Sequence, residues 1–345
     1  MSLARKILYG TGATALAIVI IGVFLPSTVH VVRETTIDAP AATVFALISD
    51  LGRAREWLPW TRLSASDEAS FSGPRRGDGA SVLFTSAAGE RGRHTVLASD
   101  PFRSVVTEIE LEGRPVFRSA FTLDAVDGGT KVTWTFDGDL GLDLFARYLR
   151  PGFASRVSEN AERGLANLKS MAETLPRADF SDLEIVHMMV EPQTIAYVTT
   201  NSMPSAAAIS EAMGEAFFDV LRFIDRHGLR EAGAPLSVSR NFSGSRLVFD
   251  AGVPVQGTLE STSESGNGVR LGQSYGGPAI RVAHTGPYGG LARTHEKIAA
   301  YLAAYGIERN GDAWESYESD PARTPESELL TYVYYPVTGD PGSAQ

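Results

Sequence analysis

The chain has 345 residues, of which 43% are hydrophobic and 21% are charged, an ordinary globular composition with room for two domains. The net charge is −10, and no basic run is longer than Arg75-Arg76. Nucleic acid is therefore not an expected partner, because phosphate binding needs clustered lysine and arginine. The sequence contains no cysteine, which excludes disulfide bonds and thiolate metal sites.

Residues 1–29 predict a membrane anchor. Residues 7–25 (ILYGTGATALAIVIIGVFL) carry no charge and are long enough to cross a bilayer as a single helix. Arg5 and Lys6 precede this segment, so the positive-inside rule would leave the following domains periplasmic or extracellular. One alternative is a cleaved signal peptide, although no A-x-A-like cleavage site follows the apolar run. The other is a buried core helix, which would need packing partners that a terminal segment beside Pro26 is poorly placed to find.

Residues 30–178 predict a strand, a helix, a series of strands and a long final helix. The strands GASVLFTSA, RHTVLASD, SVVTEIEL, PVFRSAFTLDAV and TKVTWTFDGDL follow one another at hairpin spacing, which indicates an antiparallel sheet. Residues 152–175 predict an amphipathic helix that lies on this sheet. Its apolar side chains, three or four residues apart, are Phe153, Val157, Ala161, Leu165, Leu168 and Met171.

Two stretches, TTIDAPAATVFALISDLGRAREWLPW (residues 35–60) and AERGLANLKSMAE (residues 161–173), resemble the SRPBCC, or START-like polyketide-cyclase, superfamily. The resemblance implies a helix-grip fold, in which a curved sheet and the last helix enclose a cavity for a hydrophobic ligand. It does not specify a reaction, since members range from lipid carriers to cyclases. The alternative for every aromatic candidate is plain core packing. The candidate cavity residues are Trp57, Trp60, Phe84, Phe117, Phe121 and Trp134.

Residues 176–184 (PRADFSDLE) are polar and predict a domain boundary, and residues 183–338 after it contain an internal repeat. Residues 217–242 and 294–320 each read as a helix closed by a glycine, Gly228 or Gly306, and then a strand. A strand precedes each helix and another strand ends each half. The fold class is therefore α+β, with a duplicated β-α-β-β unit that we expect to form one sheet with both helices on one face and a cleft on the other.

The stretches HTGPYGGLARTHEKIAAYLAAYGI (residues 284–307) and WESYESDPARTPESELLTYVYYPV (residues 314–337) resemble the GyrI-like small-molecule-binding domain, the effector-binding domain of AraC-type and multidrug-responsive regulators. The resemblance implies an aromatic cleft with an acidic residue at its floor that takes amphipathic, often cationic, compounds. Some stand-alone members are hydrolases that use a glutamate and a tyrosine. No helix-turn-helix pattern accompanies this domain, so the chain does not read as a transcription factor.

Glu315 and Tyr317 occur only in the second half of the repeat. The two closing glycines are 78 residues apart, which matches these positions to Ser237 and Ser239. Strand periodicity puts Glu315 and Tyr317 on one face, where a carboxylate among rings can hold a cation or act as a general base. The alternative is a solvent-facing glutamate on an edge strand. The aromatic residues expected around the pair are Trp314, Tyr288 and Tyr275.

Two other patterns carry no predicted chemistry. Ser274 lies in a G-x-S-x-G match (GQSYG), but turn and strand residues follow it where a nucleophile elbow needs a helix. The six histidines show no metal-site spacing, and we predict no metal and no cofactor.

The sequence thus predicts a membrane-anchored protein that binds a hydrophobic small molecule in its first domain and an amphipathic or cationic one in its second. Binding without turnover is the leading prediction. The alternatives are a hydrolase with Glu315 as general base and Tyr317 beside it, a cyclase-like enzyme in the first domain, and a structural or partner-binding membrane protein.

Overall fold

A computed structural model describes residues 3–59, 70–85, 89, 91–243, 246–257 and 268–339. The chain divides into two units, Met1–Ser181 and Asp182–Gln345. Each unit contains one antiparallel sheet and its own helices, which is the predicted α+β class.

The first unit contains a seven-stranded sheet in the order β1-β7-β6-β5-β4-β3-β2, in which every neighbouring pair is antiparallel. Its elements in chain order are α1 (Leu3–Phe24), β1 (Thr28–Ile37), α2 (Ala41–Ser49), α3 (Leu51–Trp57), β2 (Ser70–Ser72), β3 (Ser81–Thr85), β4 (Arg91–Asp100), β5 (Ser104–Leu111), β6 (Phe117–Val126), β7 (Gly129–Asp139) and α4 (Leu144–Glu173).

Helix α1 ends against α4. The guanidinium of Arg147 donates hydrogen bonds to the carbonyls of Val23 (2.9 Å) and Leu25 (3.2 Å), which a helix terminus leaves without intrahelical partners. Within the described part of the chain, no helix meets both the length and the apolar character that crossing a membrane requires. The anchor predicted at residues 7–25 is therefore not confirmed.

Helix α4 begins eight residues earlier than the predicted start at Gly152, and it runs through Pro151. The side chain of Asp143 caps its N-terminus by accepting a hydrogen bond from the backbone N–H of Ala146 (2.9 Å). The proline removes one hydrogen bond of the helical ladder. The added turns compensate for this loss through contacts with α1, including a hydrogen bond from the Tyr148 hydroxyl to the carbonyl of Ile18 (2.6 Å).

The apolar face of α4 packs on the inner face of the sheet, as predicted. Leu165 and Leu168 are buried in the same core as Trp57, Phe121 and Trp134. The close approach of helix and sheet requires Gly164, because a Cβ atom there would lie 2.8 Å from the Trp134 ring. A helix held this closely against the sheet is the predicted helix grip.

A buried histidine lies on the same inner face. His94 is in β4, is 5% exposed, and burial lowers its pKa from 6.5 to about 4. The imidazole is therefore neutral at pH 7, because desolvation disfavours its charged form.

The second unit contains a sheet in the order β13-β9-β12-β11-β15-β16-β14-β8, with the short β10 paired to β12. Its elements are β8 (Ile185–Val190), β9 (Thr194–Ser202), α5 (Ala206–Arg226), β10 (Arg230–Glu231), β11 (Leu236–Ser243), β12 (Arg246–Gln256), β13 (Arg270–Gln273), β14 (Gly277–Thr285), α6 (Leu291–Tyr305), β15 (Trp314–Tyr317) and β16 (Leu330–Pro336).

The predicted duplication is confirmed by the topology. The first half is β9-α5-β11-β12 and the second is β14-α6-β15-β16, and antiparallel pairing of β11 with β15 joins them. Gly228 and Gly306 follow the two helices with φ of 62° and 61°, the left-handed conformation that closes a helix at glycine. The centre of the sheet is thus the seam between the two repeats.

We expect Leu168→Ala to lower the free energy of unfolding of the first unit by about 3 kcal/mol, because it leaves a cavity under α4. The matched control is Leu149→Ala on the same helix, where the side chain is 52% exposed and the expected change is within about 0.5 kcal/mol. Differential scanning calorimetry of the full chain measures both. Equal effects of the two substitutions would contradict the helix-grip packing.

Because His94 is buried in its neutral form, we expect the first unit to lose stability in acid. The unfolded state binds a proton near pH 6.5 and the folded state only near pH 4, so stability falls as the pH drops through this window, by up to about 3 kcal/mol. Unfolding titrations of the wild type and His94→Leu between pH 7 and pH 4 isolate this contribution, since the carboxylates titrate in both proteins. The variant should show a shallower loss, and parallel curves would refute the assignment.

Candidate functional site

Glu315 lies in the middle of the second sheet. Its strand β15 is paired on one side with β11, where Ser237 is opposite Glu315, and on the other with β16, where Val333 is opposite. The Glu315 side chain is only 17% exposed. The alternative of a solvent-facing glutamate on an edge strand is therefore wrong.

Both oxygens of the Glu315 carboxylate are engaged by side chains. His295 Nε2 of α6 is 2.8 Å from one oxygen, and the Tyr317 hydroxyl donates to the other at 2.6 Å. His295 Nδ1 is in turn 2.8 Å from the Tyr335 hydroxyl. A neutral imidazole with its proton on Nε2 satisfies every contact, since it donates to Glu315 and accepts from Tyr335.

Aromatic rings surround Tyr317. The Tyr317 ring meets those of Tyr288 and Phe217 edge to face, at centroid distances of 5.5 and 6.2 Å. Burial, and then the nearby charge of Glu315, raise the pKa of Tyr317 well above its usual value. The phenol therefore remains a hydrogen-bond donor to the carboxylate throughout the physiological pH range.

The repeat explains why this position is central. Ser237 is the counterpart of Glu315 in the first half, and the two residues are direct cross-strand partners at the seam. Ser237 is 6% exposed and also hydrogen-bonds the Tyr317 side chain. The duplicated scaffold thus brings the two equivalent positions together, and only the later one bears a charge.

Trp314 does not lie beside Glu315, contrary to the sequence-based expectation. Neighbouring strand residues point to opposite faces. Glu315 and Tyr317 face α6 and α5, because they contact His295 and Phe217. Trp314 lies on the opposite face, the helix-free face, which no described helix of the second unit covers. It is stacked on Tyr334, with its centroid 5.6 Å from that of Tyr275.

The predicted site therefore separates into two places. The helix-side cluster consists of Glu315, Tyr317, Tyr288, His295 and Tyr335. The helix-free face bears a groove of about 620 Å³ whose lining includes Trp314 and Tyr275. The cleft expected on the helix-free face exists, but Glu315 is not part of it.

In the first unit, Trp57 and Trp134 are almost completely buried and meet edge to face at 5.9 Å. With Phe121 they line a hollow of about 10 Å³, enough for roughly one water molecule. Phe117 belongs to a different apolar cluster. Trp60 lies outside the described residues.

The same hollow carries polar groups that the sequence analysis did not single out. His94 Nε2, Thr107 Oγ1 and Ser119 Oγ are buried and find no hydrogen-bond partner among the described residues. Thr107 and Ser119 are direct partners on β5 and β6. A group that enters this hollow therefore meets three hydrogen-bonding atoms within an otherwise apolar and aromatic wall.

His295 was also missed, although a signal for it existed. Leu291, His295, Ile298 and Leu302 recur at helical spacing and share the face of α6 that lies toward the sheet. A histidine on that face requires a polar partner there. In the described ranges, no group of three or more histidine and carboxylate side chains is arranged to hold a metal ion.

Two family models match the chain. Residues 28–173 match the model described as polyketide cyclase / dehydrase and lipid transport, and residues 184–338 match the GyrI-like small molecule binding domain. None of the curated proteins matches the chain.

Solved structures match part of the chain at low identity. The EcmrR C-terminal domain is 12% identical with a TM-score of 0.37, and the match covers 46% of this chain and 99% of that one. A hydrolase from Listeria innocua is 12% identical with a TM-score of 0.33, covering 45% and 92%. An uncharacterised protein from Rhizobium leguminosarum is 21% identical with a TM-score of 0.32, covering 43% and 95%.

With TM-scores below 0.5, these three likenesses do not bear on a ligand or a reaction. The family matches do bear on the type of each domain. The chain combines a domain of the polyketide cyclase / dehydrase and lipid transport type with a GyrI-like small-molecule binding domain, in that order.

Proposed function

We propose that the protein binds small molecules without converting them, and that its second domain takes an amphipathic cation at Glu315. The observation that carries the proposal is a mostly buried carboxylate beside a wall of rings, with Tyr317 and Tyr288 edge to face. Ring faces and a carboxylate attract the same ligand, because both favour positive charge. In this proposal the first domain spans residues 30–178 and the second spans residues 183–338.

The hydrogen bonds of Glu315 are consistent with a cation site. Tyr317 brings no positive charge to the carboxylate, and His295 brings none in the form that carries a single proton, on Nε2. In that form the cluster keeps the net negative charge of Glu315. A carboxylate has about four lone-pair sites, and two donors leave acceptor capacity on both oxygens. A bound cation would neutralise the negative charge of Glu315, which water reaches poorly.

In the first domain, we propose that the ligand is mostly apolar and presents an uncharged polar group to His94, Thr107 and Ser119. Trp57, Phe121 and Trp134 supply the apolar wall of the hollow, and the neutral imidazole offers no charge to a carboxylate. A ligand larger than one water needs this hollow to widen. Membrane attachment and export of the domains remain predictions from residues 1–29.

A hydrolase is the second candidate for the helix-side cluster. Its support is the contact of Glu315 with both a phenol and an imidazole, which suits a carboxylate base with a donor beside it. In this reading Glu315 accepts a proton from water as the water oxygen attacks the substrate. The Tyr317 hydroxyl turns from Glu315 and donates its hydrogen bond to the negative charge that develops on the substrate oxygen. Among the described residues of the first domain, no comparable group of side chains supports a cyclase-like reaction.

Replacing Glu315 with glutamine should weaken the binding of tetraphenylphosphonium at least about tenfold, because the site loses its charge and keeps its shape. Isothermal titration calorimetry measures the affinity, with uncharged triphenylphosphine oxide as the comparison ligand. Glu296→Gln is the matched control, since it makes the same charge change on an exposed neighbour of His295. Equal affinities of Glu315→Gln, Glu296→Gln and wild type would overturn the cation site.

Tyr317→Phe separates binding from hydrolysis. The ring remains, so tetraphenylphosphonium affinity should change less than about threefold. If the cluster is a hydrolase, loss of the phenol should lower turnover of ester and epoxide substrates about 100-fold. Mass spectrometry of the reaction mixtures detects turnover. Wild-type turnover that both Tyr317→Phe and Glu315→Gln abolish would replace the binding proposal with the enzymatic one.

A further inference from the structure

The helix-free face of the second sheet carries a groove that the Glu315 site does not use. Its volume is about 620 Å³, within the range of small-molecule pockets, roughly 300–1,000 Å³. Strands from both halves of the repeat line it, so it lies across the seam. Trp314 and Ser316 of β15 point into it, alternating with Glu315 and Tyr317 on the opposite face.

The groove has an aromatic wall. Trp314 and Tyr334 are cross-strand partners stacked at 4.6 Å with their planes 3° apart, and Tyr275 continues the row at 5.6 Å from Trp314. Burial raises the pKa of both Tyr275 and Tyr334. Met188 of β8 and Val238 of β11 add apolar surface.

The charges in the groove select against anions. Among the described lining residues, Arg240 is the single positive side chain, and it is held by Asp250 at 2.7 Å and Asp312 at 3.0 Å. The remaining charged lining residues are Glu191 and Glu318, both acidic and exposed. Arg281, the cross-strand partner of Tyr334, places its guanidinium 4.4 Å from the centroid of the Tyr332 ring. A negatively charged ligand would therefore meet the acidic lining side chains, while the nearby cations are already engaged by carboxylates or by a ring.

We propose that this groove is a second ligand site, which takes flat aromatic molecules that carry no negative charge. Ring edges along the wall contact the face of the bound ring, the edge-to-face arrangement that aromatic pairs favour. This site is independent of Glu315, because the sheet separates the two. One sheet would then bind two ligands, one on each face.

N-phenyl-1-naphthylamine and 1-anilinonaphthalene-8-sulfonate test the proposal, because they share one ring system and differ by a sulfonate. Fluorescence titration of the full chain should show the neutral probe bound at least tenfold more tightly than the anionic one. Trp314→Ala should weaken the neutral probe at least fivefold. Phe218→Ala, which removes a 59% exposed ring from α5, is the matched control and should leave affinity unchanged.

Ser316→Trp is a second test of the groove, for the case that Trp314→Ala fails to fold. It removes no apolar contact and fills the groove, so it should also weaken the neutral probe at least fivefold while the thermal transition of the protein is kept. The proposal is overturned if the neutral probe binds wild type, Trp314→Ala and Ser316→Trp equally well. Equal affinity for the sulfonated probe overturns the stated selectivity.

Discussion

The pairing of β11 with β15 is the contact on which the second domain depends. It joins the two copies of the repeat into one continuous sheet, and its register sets Ser237 opposite Glu315 and Val238 opposite Trp314. Because side chains alternate along a strand, a shift by one residue would exchange the faces of the whole set. The helix-side cluster and the groove on the other face both follow from this register.

The two faces differ in chemistry for a physical reason. On the helix side, α5 and α6 exclude water from a carboxylate, so each of its oxygens needs a hydrogen-bond donor, and Tyr317 and His295 supply them. On the other face no described helix covers Trp314 and Tyr334. These two rings stack on each other, and each shields part of the other's surface from water. The carboxylate is therefore buried and hydrogen-bonded on one face, while apolar surface stays accessible on the other.

The first domain shows how tightly a helix grip can close. Gly164 brings α4 against Trp134, and Trp57 fills the adjoining space, so the hollow between them is small. Its polar atoms lie on the inner sheet face, where Thr107 and Ser119 are partners and His94 stays neutral. Selectivity there would come from hydrogen bonding more than from charge, in contrast to the acid of the second domain.

Local sequence patterns predict much of this architecture. Alternation, helical periodicity and the left-handed glycines Gly228 and Gly306 depend on neighbouring residues alone, so strands, helices and the duplication could be read from the chain. The start of α4 could not, because its first turns depend on α1 and on the cap at Asp143. Periodicity also put Glu315 and Tyr317 on one face correctly.

What the sequence determined by itself is therefore the order of the main helices and strands, the two domain types and the placement of an acid and a phenol on one face. The strands β2, β8, β10 and β13 were not predicted. Only the tertiary structure decided which face of the sheet carries the helices, and so that Trp314 lies away from Glu315 while His295 and Tyr335 lie beside it. The reason is that alternation assigns side chains to two faces without saying which face is covered. That choice is made by contacts between residues far apart in the chain.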